Sequence, residues 1–344
     1  MLRSYRRALH RIPELDRVLP ETTDFLKKAL SNLPCEVFSP CTGALCAYFD
    51  LGKARTIAFR ADMDALPITE ATGAPYASEH EGAMHACGHD AHMAILLGLA
   101  HRLDGARSNV LLIFQPAEET SGGAREICES GVLDKYRVSE IYALHLWPEL
   151  EKHAVAAAER GMMARSSEVT VEFFGTSAHI ARAEQGHDAL LDAANFLVAA
   201  KKTEERCVLG FGRLSGGQAR NAVCDHAVLE GTLRCHDDEI FENTVKKLEK
   251  LLPPTAKMSI SRGYPPMEND PVLLSRAKAL LPIRAAEPSY LTDDFSEFLR
   301  RIPGVYFRLG IGGGTLHTPN FDFDEAVLQT GLSLFRTILT EESQ

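Results

Sequence analysis

"NVLLIFQPAEET", residues 109–120, decides how this chain is read. Asn109 to Phe114 is a short, nearly continuous apolar run, the pattern of a strand buried on both faces. Pro116 has no N–H for a ladder and ends the strand. Two adjacent carboxylates, Glu118 and Glu119, follow at once. An acidic pair is ordinarily a solvated loop. Directly after a buried strand it stands where open α/β sheets bind their ligands, outside the strands' carboxyl ends. Adjacent side chains on an extended backbone diverge, so one can hold a cation while the other faces a substrate.

Outward from this stretch, "TIAF" (56–59), "EIYALHL" (140–146) and "VYFRLG" (305–310) have the same buried-strand character. Between them lie helical patterns at "TTDFLKKAL" (22–30), "HMAILLGLAHRL" (92–103) and "GGAREICESGVL" (122–133). Alternating strand and helix predict an α/β domain, a mostly parallel central sheet flanked by helices. Near residue 165 the texture changes. "SSEVTVEFFG" (166–175) and "HAVLEGTLRC" (226–235) alternate polar and apolar residues, as half-buried strands do. With "CVLGFGRLSGG" (207–217) and helical stretches at 187–202 and 238–251, they predict an inserted α+β domain. Its expected form is a four-stranded antiparallel sheet with two helices on one face. The expected division is 1–164 plus 268–344 for the first domain and 165–267 for the insert.

The chain's 344 residues exceed one ordinary core, which agrees with two domains. A net charge of −10 and the lack of a long basic run argue against nucleic acid and anionic membranes as partners. No stretch approaches a membrane span, and the N-terminus lacks the apolar core of a signal peptide. Eight irregularly spaced cysteines read as thiols of a reduced, cytoplasmic protein.

"MHACGHDAH" (84–92) packs three histidines, a cysteine and an aspartate into nine positions. Were it all helical, His85, His89 and His92 would share a face. If Gly88 turns the chain before the helix, with Asp90 as N-cap, Cys87 and His89 point the same way and the other two histidines are neighbours. The second geometry is the expected one. His145 in "ALHLW" and His317 after "GGGTL" complete the set; either alone reads as a core histidine or a mobile loop. Together Cys87, His89, Glu119, His145 and His317 form a mixed S/N/O set sufficient for two divalent ions, with Glu118 left over.

These segments resemble the amidohydrolase branch of the dinuclear-metal aminoacylase and carboxypeptidase superfamily. The resemblance runs through "LHRIPEL" (9–15), "FRADMDALPI" (59–68), "MHACGHDAHM" (84–93), "FQPAEETSGGA" (114–124), "ALHLWPEL" (143–150), "SGGQARNAV" (215–223) and "LHTPNFDFDE" (316–325). It implies that Cys87, His89, Glu119, His145 and His317 bind two metals and that Glu118 is the general base. Asp62 is implied to orient a ligand histidine, with Asp90 also placed behind the ligands. The insert is implied to be a lid through which members dimerise, with His179 as an oxyanion donor. Asn221 and Arg234 are candidate anchors for a substrate carboxylate. The implied activity is removal of an acyl group, acetyl above all, from an N-acyl amino acid. Zinc or manganese is expected, with nickel or cobalt as alternatives.

Two segments depart from the family. Ala183 and Glu184 stand where a Pro-His pair is usual, and "LTDDF" (291–295) replaces a Gly/Ser-Glu-Asp-Phe pattern. Both put substrate identity in doubt. The rival readings are a di-metal aminopeptidase or dipeptidase, for which Asp293 or Asp294 would take a free amine, and a catalytically silent binding homologue.

Overall fold

The computed structural model describes residues 1–203 and 206–341. Up to residue 162 it contains helices α1 (Leu2–His10), α2 (Pro20–Leu30), α3 (His89–Ala100), α4 (Ala124–Glu129) and α5 (Val132–Lys135). With them run strands β1 (Glu36–Phe38), β2 (Leu45–Phe49), β3 (Thr56–Asp62), β4 (Asn109–Gln115), β5 (Val138–Trp147) and β6 (Val155–Ala157). Then come β7 (Arg165–Phe174), α6 (Ala189–Ala200), β8 (Cys207–Gly216), β9 (His226–Cys235), α7 (Asp238–Glu249) and β10 (Ala256–Ile260). The chain ends with α8 (Pro271–Leu280), β11 (Ile283–Ala285), α9 (Ser296–Leu299), β12 (Gly304–Gly310) and α10 (Val327–Thr340).

Two compact units result. The first comprises Met1–Met162, Glu268–Glu287 and Asp294–Gln344, the second Met163–Met267 and Pro288–Asp293. The first unit holds an eight-stranded sheet in the order β1-β2-β4-β3-β5-β12-β6-β11. Its centre, β4, β3, β5 and β12, is parallel throughout. Every residue of β3, β4 and β12 is buried, which accounts for their unbroken apolar runs. Each buried Leu, Ile or Phe there contributes roughly 1.5–3 kcal/mol. The four strands expected from sequence are these four, and β4 stops at Gln115, just before Pro116.

Two helices differ from expectation. The first, α3, begins at His89 rather than 92. Its N-cap is Gly88 in the left-handed region (φ 86°), and Asp90 lies inside the first turn instead of capping it. A Cβ at residue 88 would meet Leu146 Cδ1 at 2.7 Å, so glycine is required by both conformation and space. The stretch 122–133 forms two short helices because Gly131 turns left-handed (φ 78°) between them.

In the second unit an antiparallel four-stranded sheet, β10-β7-β9-β8, packs α6 and α7 on one face. The alternation of β7 sends Val169, Val171 and Phe173 into a core shared with Phe196 of α6, Leu229 of β9 and Phe241 of α7. Asp188 and Asp237 cap the two helices through their carboxylates. Among the described residues no helix is long and apolar enough to cross a membrane.

Candidate metal centre

Parallel strands all end on the same edge of their sheet, and here those ends carry the polar groups. β3 ends in Asp62 with Asp64 just beyond it, and beyond β4 come Glu118 and Glu119. His145 lies near the end of β5, and His317 follows β12 through a glycine-rich turn. The Gly88 turn brings Cys87 and His89 to the start of α3.

Five of the expected side chains meet. His145 Nε2 lies 3.3 Å from Cys87 Sγ, and His317 Nε2 lies 3.3 Å from the same sulfur. His317 Nε2 is also 3.3 Å from Glu119 Oε1, which is 3.8 Å from His89 Nε2. The rings are held by backbone carbonyls. His89 donates from Nδ1 to Asp64 O at 2.8 Å, and His145 donates from Nδ1 to Leu146 O at 2.7 Å. A carbonyl only accepts, so both rings keep a lone pair at Nε2. Among the described residues, His89 Nε2 and Glu119 Oε1 are buried without a hydrogen-bond partner. Unpaired buried acceptors are costly, and a cation would satisfy both.

The electrostatics point the same way. Burial, with Glu119 and Glu118 beside it, pushes the Cys87 thiol well above its ordinary value. Burial also pushes Asp64 up to about 7. Burial opposes the Glu119 charge, but the His317 and His89 imidazoles outweigh it and hold the carboxyl at about 2. Asp62, Asp64, Glu119 and a thiol crowd one buried pocket, an excess of acid that divalent cations relieve. The residues fit such ions.

Asp62 Oδ2 lies 3.7 Å from His89 Nε2. Its Oδ1 accepts from His92 Nδ1 at 2.5 Å and its Oδ2 from Arg60 Nη1 at 2.8 Å. His92 Nε2 in turn accepts the Leu146 N–H at 3.1 Å, so both nitrogens of His92 are used within the protein. Burial resists charge on Asp62, and His89, His92 and Arg60 together hold it well below the usual carboxylate range. Arg60 also reaches Asp294 Oδ1 at 3.2 Å, and Asp294 takes Gln115 Nε2 at 2.7 Å and the Ala124 N–H at 2.9 Å. That carboxylate is committed to the sheet. Asp90 faces away from the cluster: its partners are Arg6 Nε at 2.8 Å and His10 Nδ1 at 2.7 Å, tying α1 to the start of α3. His85 is buried, and among the described residues neither of its ring nitrogens has a hydrogen-bond partner.

Sequence reasoning missed Asp64. Its carboxylate accepts the N–H groups of both Glu118 and Glu119. The signal was present, since acids two apart in "RADMD" share a face of an extended chain. His317 (φ 58°) and Ala117 (φ 59°), the latter next to Glu118, sit in the left-handed region, strain of the kind that gathers at functional sites.

His179, Asn221 and Arg234 belong to the second unit. His179 is exposed and bridges to Ala222, and the Ile180 N–H donates to Asn221 O at 2.9 Å. Arg234 donates from Nη1 to Tyr290 O at 2.8 Å.

A parallel sheet with thiol, imidazole and carboxylate donors converging beyond its strand ends defines a metal-dependent hydrolase. The chain belongs to peptidase family M20/M25/M40, whose pattern matches residues 58–341. It is 32% identical to an N-acetyldiaminopimelate deacetylase of Oceanobacillus iheyensis, over 98% of each chain. It is 34% identical to an N-acetyl-L-cysteine deacetylase of Bacillus subtilis, over 96% of this chain and 86% of that one. A solved Bacillus subtilis structure, a dinuclear metal binding peptidase of the M20 family, superposes with a TM-score of 0.87 at 30% identity. It covers 98% of this chain and 96% of that one.

Proposed function

We propose that the protein removes the acyl group, acetyl in the first instance, from an N-acyl amino acid by hydrolysis of its amide bond. The meeting of Cys87, His89, Glu119, His145 and His317 around unpaired buried acceptors carries this reading. The deacetylases among its relatives support the substrate class.

Those five residues would hold two divalent ions, which lower the pKa of a water and polarise a carbonyl. Glu118 accepts the proton of the attacking water and delivers it to the leaving amine nitrogen. His179 accepts the Ala181 N–H at Nδ1, so its proton sits on Nε2. That tautomer makes it a donor for the developing oxyanion. Asn221, beside His179, and Arg234 are assigned to the substrate carboxylate.

The thiolate suits zinc, and the imidazoles and carboxylate also serve manganese, nickel or cobalt. A cytoplasmic setting is supported by eight free cysteines. Homodimerisation through the second unit is supported by exposed Leu190, Leu191 and Val198 on α6 and Val208 and Leu214 on β8. The aminopeptidase alternative loses one of its acids, since Asp294 is bound to Arg60 and Gln115.

A panel of N-acetyl amino acids and free dipeptides, assayed on metal-reconstituted protein with metal content measured, tests the proposal. Hydrolysis of the acetylated substrates is expected. Turnover confined to free dipeptides, or none in fully loaded protein, would overturn it.

A further inference from the structure

The segment Glu14–Arg17 lies across both turns that carry the candidate catalytic acids. Glu14 O accepts the Ala65 N–H at 2.8 Å, one residue past Asp64. Asp16 O accepts the Ala117 N–H at 3.1 Å, one residue before Glu118. The Asp16 carboxylate takes the Thr120 hydroxyl at 2.6 Å. Arg17 uses three arms of its guanidinium: Nε to Ser121 Oγ at 3.2 Å, Nη2 to Gly122 O at 2.6 Å and Nη1 to Glu126 Oε2 at 2.7 Å. The turn bearing Glu118 and Glu119 is thus gripped from outside at residues 117, 120, 121 and 122.

The grip holds a strained shape. Asp16 and Ala117 both adopt φ 59°. Such residues persist only where their surroundings over-determine them. Space is kept for the segment as well: a Cβ at Gly43 would lie 2.5 Å from Arg17 O. Asp64 binds the same turn from inside, through the N–H groups of Glu118 and Glu119.

We propose that Asp16 and Arg17 are positioning residues for hydrolysis, fixing the 117–122 turn in the conformation that sets Glu118 for proton transfer. The inference rests on the reading of Glu118 as the proton-transfer group. Arginine suits the task because its planar fork reaches a hydroxyl, a carbonyl and a carboxylate together, which an ammonium cannot. Released from the fork, Ala117 can relax to an ordinary φ and carry Glu118 with it. A misplacement of about 1 Å can cost about a hundredfold in rate.

Arg17→Ala, Arg17→Lys and wild type are to be compared as full-length, metal-saturated proteins. The readouts are kcat and KM on an N-acetyl amino acid, metal per chain, and amide hydrogen exchange across 117–122. Arg17→Ala is expected to lower kcat about ten- to hundredfold with KM nearly unchanged and metal retained. Exchange in the turn accelerates, added guanidinium ion restores part of kcat, and Arg17→Lys falls between. A variant that melts earlier yet keeps wild-type kcat per loaded chain and wild-type exchange makes Arg17 merely structural and overturns the proposal. If wild type itself hydrolyses no acyl amino acid, the hydrolytic reading fails instead, and the exchange arm still decides whether Arg17 holds the turn.

Discussion

Asp64 Oδ1 accepts the backbone N–H of Glu118 at 3.0 Å, so the end of β3 fixes the turn after β4. Its other oxygen takes the Glu119 N–H at 3.1 Å, and its own carbonyl orients His89. One residue therefore arranges a candidate base and two candidate ligands. Asp64→Ala leaves two N–H groups without their acceptor, at about 1–3 kcal/mol for each that stays buried. Lower denaturant stability together with lower metal content is expected, and Asp64→Asn, which keeps one acceptor, should be milder. Unchanged metal content in the alanine variant would count against this role.

Glu118→Gln keeps shape and removes the base. Turnover should drop by roughly 10²–10⁴ while metal per chain stays the same. Glu119→Gln should instead lose metal, because it removes an unpaired buried oxygen from the cluster. Kinetics paired with elemental analysis separate the two, and hydrolysis surviving in Glu118→Gln refutes the base assignment.

Gly88→Ala combines backbone strain with a collision against Leu146, the residue whose carbonyl holds His145. A loss of about 1–3 kcal/mol is expected, with weakened metal binding. Gly131→Ala is the control. Its φ is 78°, but nothing lies within 4 Å of the new Cβ, so stability falls and metal binding stays.

Glu140 gives a pH dependence remote from the cluster. Burial opposes its charge, but Arg276 and Tyr142, hydrogen-bonded to it, and the nearby Arg55 hold its carboxyl below the ordinary value. A carboxyl depressed in the folded state stabilises above its unfolded pKa of about 4.3, and that contribution is lost as pH falls through the folded value. Glu140→Gln should be less stable than wild type at neutral pH by about 1–3 kcal/mol, and the gap should close in acid. Melting curves across the acid range check this; a gap independent of pH would rule it out.

The parallel core was legible because β3, β4, β5 and β12 are buried on both faces, and double burial writes itself as an apolar run. The short strands β1, β6 and β11, three residues each, carry too few side chains for a period to emerge. The five converging donors could be named because each lies at or beyond a strand end or beside the Gly88 turn. What holds them could not. The carbonyls of Asp64 and Leu146 leave no mark in side-chain identity, and the Arg6–Asp90 pair joins residues 84 apart. Sequence places Asp90 behind the ligands but does not reveal its partners, Arg6 and His10 of the first helix.

Strand β12 lies between β5 and β6, although some 150 residues separate it from either. A ribosome making this chain therefore exposes a sheet with a gap at its middle until residue 310 emerges. The four strands of the second unit, by contrast, have all been synthesised by residue 260. The nascent first half waits with one unpaired edge of β5, a window in which pairing with the wrong strand competes with completion.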